Sequence, residues 1–211
     1  NGWICPDDET AKKDLWAFFL ILKVLVLYHD ATEDERIEDV IRRALLYLDR
    51  HIDTVTLCGW AQMRWFECMI AMWWLYERTG EEWILNLAAK IQAQGFDWIT
   101  FFKHWPYRKP EDKKRWSFMS HVVNNAMMLK SGALLWRLTG SGEHLESAEQ
   151  MVNLLDKYHG MVTGVFSGDE CLAGKSPIQG TELCAVVEYM YSLEHLLGIT
   201  GKAHWGDRLE K

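Results

Sequence analysis

Four times along 211 residues, an apolar helical pattern runs into a Thr-centred turn and a second helical pattern follows. The turns are DATEDER with Thr32, ERTGEEW with Thr79, RLTGSGEH with Thr139 and GITGKAHW with Thr200, spaced by 47, 60 and 61 residues; three of the four read Thr-Gly. A chain that repeats a helix–turn–helix unit cannot bury the apolar face of one unit alone and does so by stacking neighbours. Thr at a helix N-cap accepts a backbone N–H, and a Glu three residues on reciprocates, as in Thr32/Glu35 and Thr79/Glu82, so each Thr is expected to open the second helix of its pair.

Two kinds of helix follow from the patterning. After the turns, Ile37, Val40, Ile41, Leu45 and Leu48 recur at helical spacing, as do Ile84, Leu87, Ala88 and Ile91, then Leu145, Ala148, Val152 and Leu155. Such one-sided helices lie on the outside of a stack. MIAMWWLY at 69–76 and NNAMMLKSGALLW at 124–136 are apolar on most faces and belong inside. The fold class is therefore all-α, an α/α arrangement of hairpins; the period alone leaves an open superhelix and a closed toroid equally open. The second helix of the fourth unit has only about one or two turns before Lys211. The chain is expected to be one partial domain, 1–211, truncated at both ends.

Composition narrows the partners. A formal charge of -7 lacks the basic stripe that tracks phosphates, so nucleic acid is excluded and a neutral or polar ligand is favoured. The longest apolar run, LWAFFLILKVLVLY at 15–28, contains Lys23 and falls short of the roughly 20 residues that cross a bilayer, so it is read as a buried helix rather than a membrane segment. No signal peptide is evident, the first residue is Asn1, and localisation stays open. Five cysteines at irregular spacing point to free thiols or metal ligands, with Cys58 and Cys68 expected in the core. Of twelve tryptophans, Trp65, Trp73, Trp74 and Trp136 fall in inner-helix patterns, where they fill core or offer flat faces to sugar rings. The basic stretch YRKPEDKKRW at 107–116 reads as a solvated connection.

Chemistry concentrates in SGDECLAGKSPIQGTELC, residues 167–184. Pro177, Gly180 and Thr181 make a turn and an N-cap, and a long apolar helix follows. Glu182 and Cys184 are two residues apart, about 200° around a mid-helix, but in a first turn they can converge. The helix dipole there favours carboxylate and thiolate, the forms that bind zinc. Glu170, in the preceding Gly-rich loop, is either a solvated turn residue or a general acid. His121, before an inner helix, and His159, in KYHGM, are each either capping or core histidines or ligand contacts.

These segments resemble glycoside hydrolase family 127, typified by β-L-arabinofuranosidases. The likeness rests on HGMVTGVFSGDECLAGKSPIQGTELCAVVEYMYSLEHLLGITG together with HVVNNAMMLKSGALLWRLTG and WLYERTGEEWILNLA. It implies a six-hairpin α/α toroid of which about four hairpins are present here as an incomplete ring. It also implies a retaining mechanism with a zinc-bound cysteine nucleophile, a glutamate acid/base and a carbohydrate substrate. By the same resemblance Glu182 and Cys184 match metal ligands, Glu170 the acid/base, and His121 a histidine at the sugar site. The family's remaining ligands, an adjacent Cys-Cys pair that includes the nucleophile, have no counterpart in these residues, so the zinc site is incomplete and this chain alone is expected to be inactive. Two other readings fit the residues: a metal-free α/α-toroid sugar epimerase or uronide hydrolase, and a non-catalytic carbohydrate-binding helical repeat.

Overall fold

A computed structural model of the chain describes residues 2–6 and 15–211. The chain divides into two compact units at Phe96/Asp97. The first holds α1 (Leu15–Thr32), α2 (Arg36–His51), α3 (Gly59–Met63), α4 (Phe66–Thr79) and α5 (Trp83–Gln94). The second holds α6 (Trp98–Lys103), α7 (Val122–Met127), α8 (Ser131–Thr139), α9 (Gly142–His159), β1 (Gly168–Asp169), β2 (Cys171–Leu172), α10 (Leu183–Thr200) and α11 (Ala203–Leu209). Apart from a short hairpin of two-residue strands the described residues are helical or irregular, consistent with the all-α class of helical hairpins expected from the sequence.

The inner and outer assignments hold. Every residue of α4 from Phe66 to Leu75 is buried, as is every residue from Ser120 to Leu135, whereas α2, α5 and α9 are buried along a stripe. The inner run of the second unit is broken by a 3₁₀ turn at Met128–Lys130 between α7 and α8. Carbonyls released by such a break need donors. The Ser192 hydroxyl of α10 donates to the Ala126 carbonyl at 2.7 Å, and the Lys130 ammonium donates to Met127 O at 3.1 Å. Lys130 is fully buried, and its Nζ lies 3.8 Å from Glu188 Oε2 on α10.

The Thr turns are present, but the threonines work in the opposite sense from the expected N-caps. Thr32, Thr79, Thr139 and Thr200 are the last residues of their helices or of the final turn, and each hydroxyl donates to the carbonyl four residues back. In the three Thr-Gly turns the same oxygen accepts the N–H two residues ahead, from Glu81, Ser141 and Lys202. The following Gly80, Gly140 and Gly201 all have φ 66°, the left-handed C-terminal cap that glycine adopts without strain. Glu35 and Glu82 make no reciprocal capping contact. At the first turn Glu33 takes the glycine position with φ 55°.

Two other expectations change. Helix α1 is buried on one face only, through Leu15, Phe18, Phe19, Leu22 and Val26, because α2 and α4 cover only that side. Val24, Leu27 and Tyr28 are exposed, and by length and composition alone α1 is long and apolar enough to cross a membrane. Cys58 is exposed at the start of α3, while Cys68 is buried as expected, where desolvation pushes its thiol pKa far up. Trp65, Trp73 and Trp74 are core residues.

Candidate active site

The loop between α9 and α10 is held to the start of α7 by main-chain bonds. Glycine at 168 lets it come that close: a Cβ there would stand 2.3 Å from Val122 Cγ2. Gly168 pairs with Leu172 and Asp169 with Cys171, so Glu170 alone forms the tip of a tight hairpin. The Leu172 N–H donates to Ser120 O and the Val122 N–H to Glu170 O, both at 3.0 Å. On the other side, Gly168 O accepts the Glu182 N–H at 3.0 Å. The loop is thus stitched to two helix starts at once.

Glu170 sits at this tip with φ 62°, a left-handed conformation that costs a non-glycine residue about 1–2 kcal/mol. Its backbone is held on both sides: the carbonyl by Val122, and the N–H by Glu182 Oε1 at 2.6 Å. Its side chain is about half exposed, 56%, with Oε2 lying 3.8 Å from His121 Nε2. Backbone strain maintained by surrounding bonds is characteristic of residues whose side chain must be aimed.

His121 is the N-cap of α7, and its Nδ1 accepts the Asn124 N–H at 3.2 Å. The neutral ring therefore carries its proton on Nε2, the nitrogen nearest Glu170. His121 thus fills the capping role that was one of the expected alternatives, and its other ring nitrogen faces Glu170. The Trp116 ring lies edge-to-face with it, centroids 5.8 Å apart.

His159 is fully buried at the end of α9. Its Nε2 pairs with the Tyr107 carbonyl at 2.9 Å, and its Nδ1 accepts the Gly174 N–H at 3.0 Å. Burial holds its pKa below the usual histidine value. Both nitrogens serve the backbone of the loops flanking the hairpin.

Glu182 is the N-cap residue of α10 and makes no side-chain cap; the expected cap, Thr181, instead donates its hydroxyl to Phe166 O. Cys184 is exposed in the first turn of α10. The structure brings Glu170, Glu182 and His121 together. Carboxylate and thiol are both ligand types that zinc accepts. Among the described residues no group of three or more His, Cys, Asp or Glu side chains is placed to hold a metal. Cys171 is buried with its sulfur 3.8 Å from the Ser120 hydroxyl, and desolvation raises its thiol pKa, which disfavours the thiolate.

The segment 107–116 is no free connection. Glu111 N–H donates to Leu172 O at 2.8 Å, and the Lys113 ammonium pairs with the Asp169 carboxylate beside the tip. The segment's contribution to the site has no local sequence signal, because it depends on pairing across some sixty residues.

A family model described as the β-L-arabinofuranosidase GH127 catalytic domain matches residues 5–211. The chain belongs to this GH127 family. Among solved structures, the Lin0763 protein from Listeria innocua shares the fold with a TM-score of 0.59 at 14% identity. That likeness covers 95% of this chain and 57% of the Listeria protein, so the chain spans little more than half of that structure's length. No curated protein sequence matches. The GH127 match makes this a glycoside hydrolase-like domain, as the loop at 167–184 led one to expect.

Proposed function

We propose that this GH127 domain belongs to a retaining glycosidase acting on β-L-arabinofuranosides or related plant-glycan sugars, with Glu170 as its acid/base. The observation that carries the reading is the hairpin tip, where Glu182 fixes the Glu170 backbone and His121 Nε2 faces its carboxylate. Glu170 in its acid form protonates the departing glycosidic oxygen while a cysteine nucleophile outside these residues bonds to the anomeric carbon, then as carboxylate takes a proton from the water that displaces that sulfur. His121, with its proton on Nε2, orients that carboxyl group and stabilises its ionised form between the two steps. His159 braces the loop from behind and also keeps Tyr107 in place, which makes its contribution to sugar binding indirect.

Glu182 and Cys184 are proposed to contribute to a zinc site completed by residues outside this sequence, with Glu182 keeping its hold on the Glu170 N–H through Oε1. Zinc, when bound, would keep a coordinating thiol deprotonated at neutral pH. On this reading the 211-residue chain is inactive by itself.

The test uses the longer protein that contains this domain. Glu170→Gln is expected to abolish hydrolysis of p-nitrophenyl β-L-arabinofuranoside while leaving the fold intact by circular dichroism. Undiminished turnover removes Glu170 from the mechanism. Metal analysis of the same protein is expected to give one zinc per chain, lowered in Cys184→Ser.

A further inference from the structure

We propose that Trp116 is a positioning residue of the sugar site, a stacking platform against which a sugar ring lies while its glycosidic oxygen meets Glu170. The proposal rests on the assignment of Glu170 as acid/base. Trp116 is 38% exposed, whereas Trp65, Trp73 and Trp74 are buried. Its position is built from several sides. The Trp116 N–H donates to Lys113 O at 3.2 Å, closing the 3₁₀ turn Lys113–Arg115, whose start is capped by Asp112 accepting the Lys114 N–H at 2.9 Å. The Phe118 ring packs edge-to-face with it at 5.1 Å, and the His121 ring at 5.8 Å.

The anchors of that turn reach the hairpin itself. Lys113 pairs with Asp169, the residue before Glu170, and Glu111 is hydrogen-bonded to Leu172, two residues after it. One segment therefore fixes the indole and flanks the carboxylate. His121 touches both, with Nε2 toward Glu170 and its ring against Trp116. The open part of the indole consequently borders the place where a glycosidic bond must sit to receive a proton from Glu170. Sugar rings present C–H groups on their flatter face, and these complement the negative face of an aromatic quadrupole. An aromatic surface beside two polar groups is the usual composition of a small-ligand site.

The experiment uses the longer protein and two probes, p-nitrophenyl β-L-arabinofuranoside for turnover and L-arabinose for binding by calorimetry. Trp116→Ala is expected to raise KM about tenfold or more with kcat changed far less. Trp116→Phe, which keeps an aromatic face, is expected to stay within about threefold of the parent in both. L-arabinose affinity should fall in parallel in Trp116→Ala, while the melting temperature of both variants stays close to the parent's. Unchanged KM and affinity in Trp116→Ala overturn the proposal. So does an equal loss in both variants accompanied by a lowered melting temperature, which would mark Trp116 as part of the fold alone. Glu170→Gln separates the two ideas: if that variant still turns over substrate while Trp116→Ala loses affinity, the acid/base assignment fails and the platform stands.

Discussion

Glu182 Oε1 accepts the Glu170 backbone N–H at 2.6 Å, so the carboxylate that starts α10 holds the hairpin tip in its strained conformation. A charge-assisted bond of this kind contributes about 1.5–3 kcal/mol. Glu182→Ala is expected to lower kcat/KM by about tenfold or more through loss of Glu170 alignment. Glu182→Gln keeps an acceptor at the same position but is a poor zinc ligand. If Glu182 serves only the hairpin, the Gln variant stays near the parent; if it also ligates zinc, it loses metal. Kinetics and zinc content measured together on the two variants separate these roles.

His159 predicts a pH effect on stability. Its native pKa is depressed by burial, so the unfolded chain binds the proton more readily. The stability it contributes is present above the unfolded value of about 6.5 and is lost as pH falls below that toward the lower native value. The melting temperature of the parent should therefore fall on acidification through this window. His159→Gln should be less stable at neutral pH and show a shallower fall, which a thermal unfolding series in pH will detect.

The first helical turn can be improved. Glu33 is exposed and occupies, at φ 55°, the position filled by glycine at the other three turns, with its N–H donating to His29 O at 2.7 Å. Relief of left-handed strain outweighs the greater freedom glycine gives the unfolded chain. Glu33→Gly is expected to stabilise the chain by about 0.5 kcal/mol, a rise of about 1–2 °C in Tm. A fall in Tm by calorimetry would contradict the assignment of this turn.

Lys130 and Glu188 make a pair whose members are unequal. The ammonium is fully buried, whereas the Glu188 side chain keeps 20% exposure and can turn toward water. Glu188→Leu, which removes the carboxylate 3.8 Å from a buried ammonium, should cost about 3 kcal/mol, and Lys130→Met less. The double variant should recover most of the loss, since an apolar pair of similar volume replaces both desolvated charges. Urea unfolding of the three variants gives the coupling.

The hairpins, the inner and outer helices and the Glu170–Glu182 loop were legible because each rests on a local pattern. Period 3.6 distinguishes α2 from α4 without reference to anything else in the chain, and Thr-Gly after a helical pattern marks the helix ends at Thr79, Thr139 and Thr200. The direction of the Thr turns was not legible, since Thr caps an N-terminus and back-bonds at a C-terminus with the same hydroxyl; the glycine that follows was the decisive signal. Trp116 and Lys113 escaped for a different reason. Lys113 meets Asp169, 56 positions away, and Trp116 ends the short turn that this pairing anchors, so a run of charges around a proline carries no record of its distant partner. His159 looked like a ligand candidate because sequence does not disclose that two backbone groups, Tyr107 O and Gly174 N, occupy its nitrogens.

The main-chain bonds from Val122 to Glu170 and from Leu172 to Ser120 join the histidine segment and the carboxylate segment across roughly fifty residues. Any fluctuation that peels the hairpin away from α7 separates the Glu170 carboxylate from the His121 ring at the same moment. The order of the two segments is therefore a single cooperative event, and slow deuterium uptake at the Val122 and Leu172 amides would measure the fraction of molecules in which carboxylate and imidazole stand together.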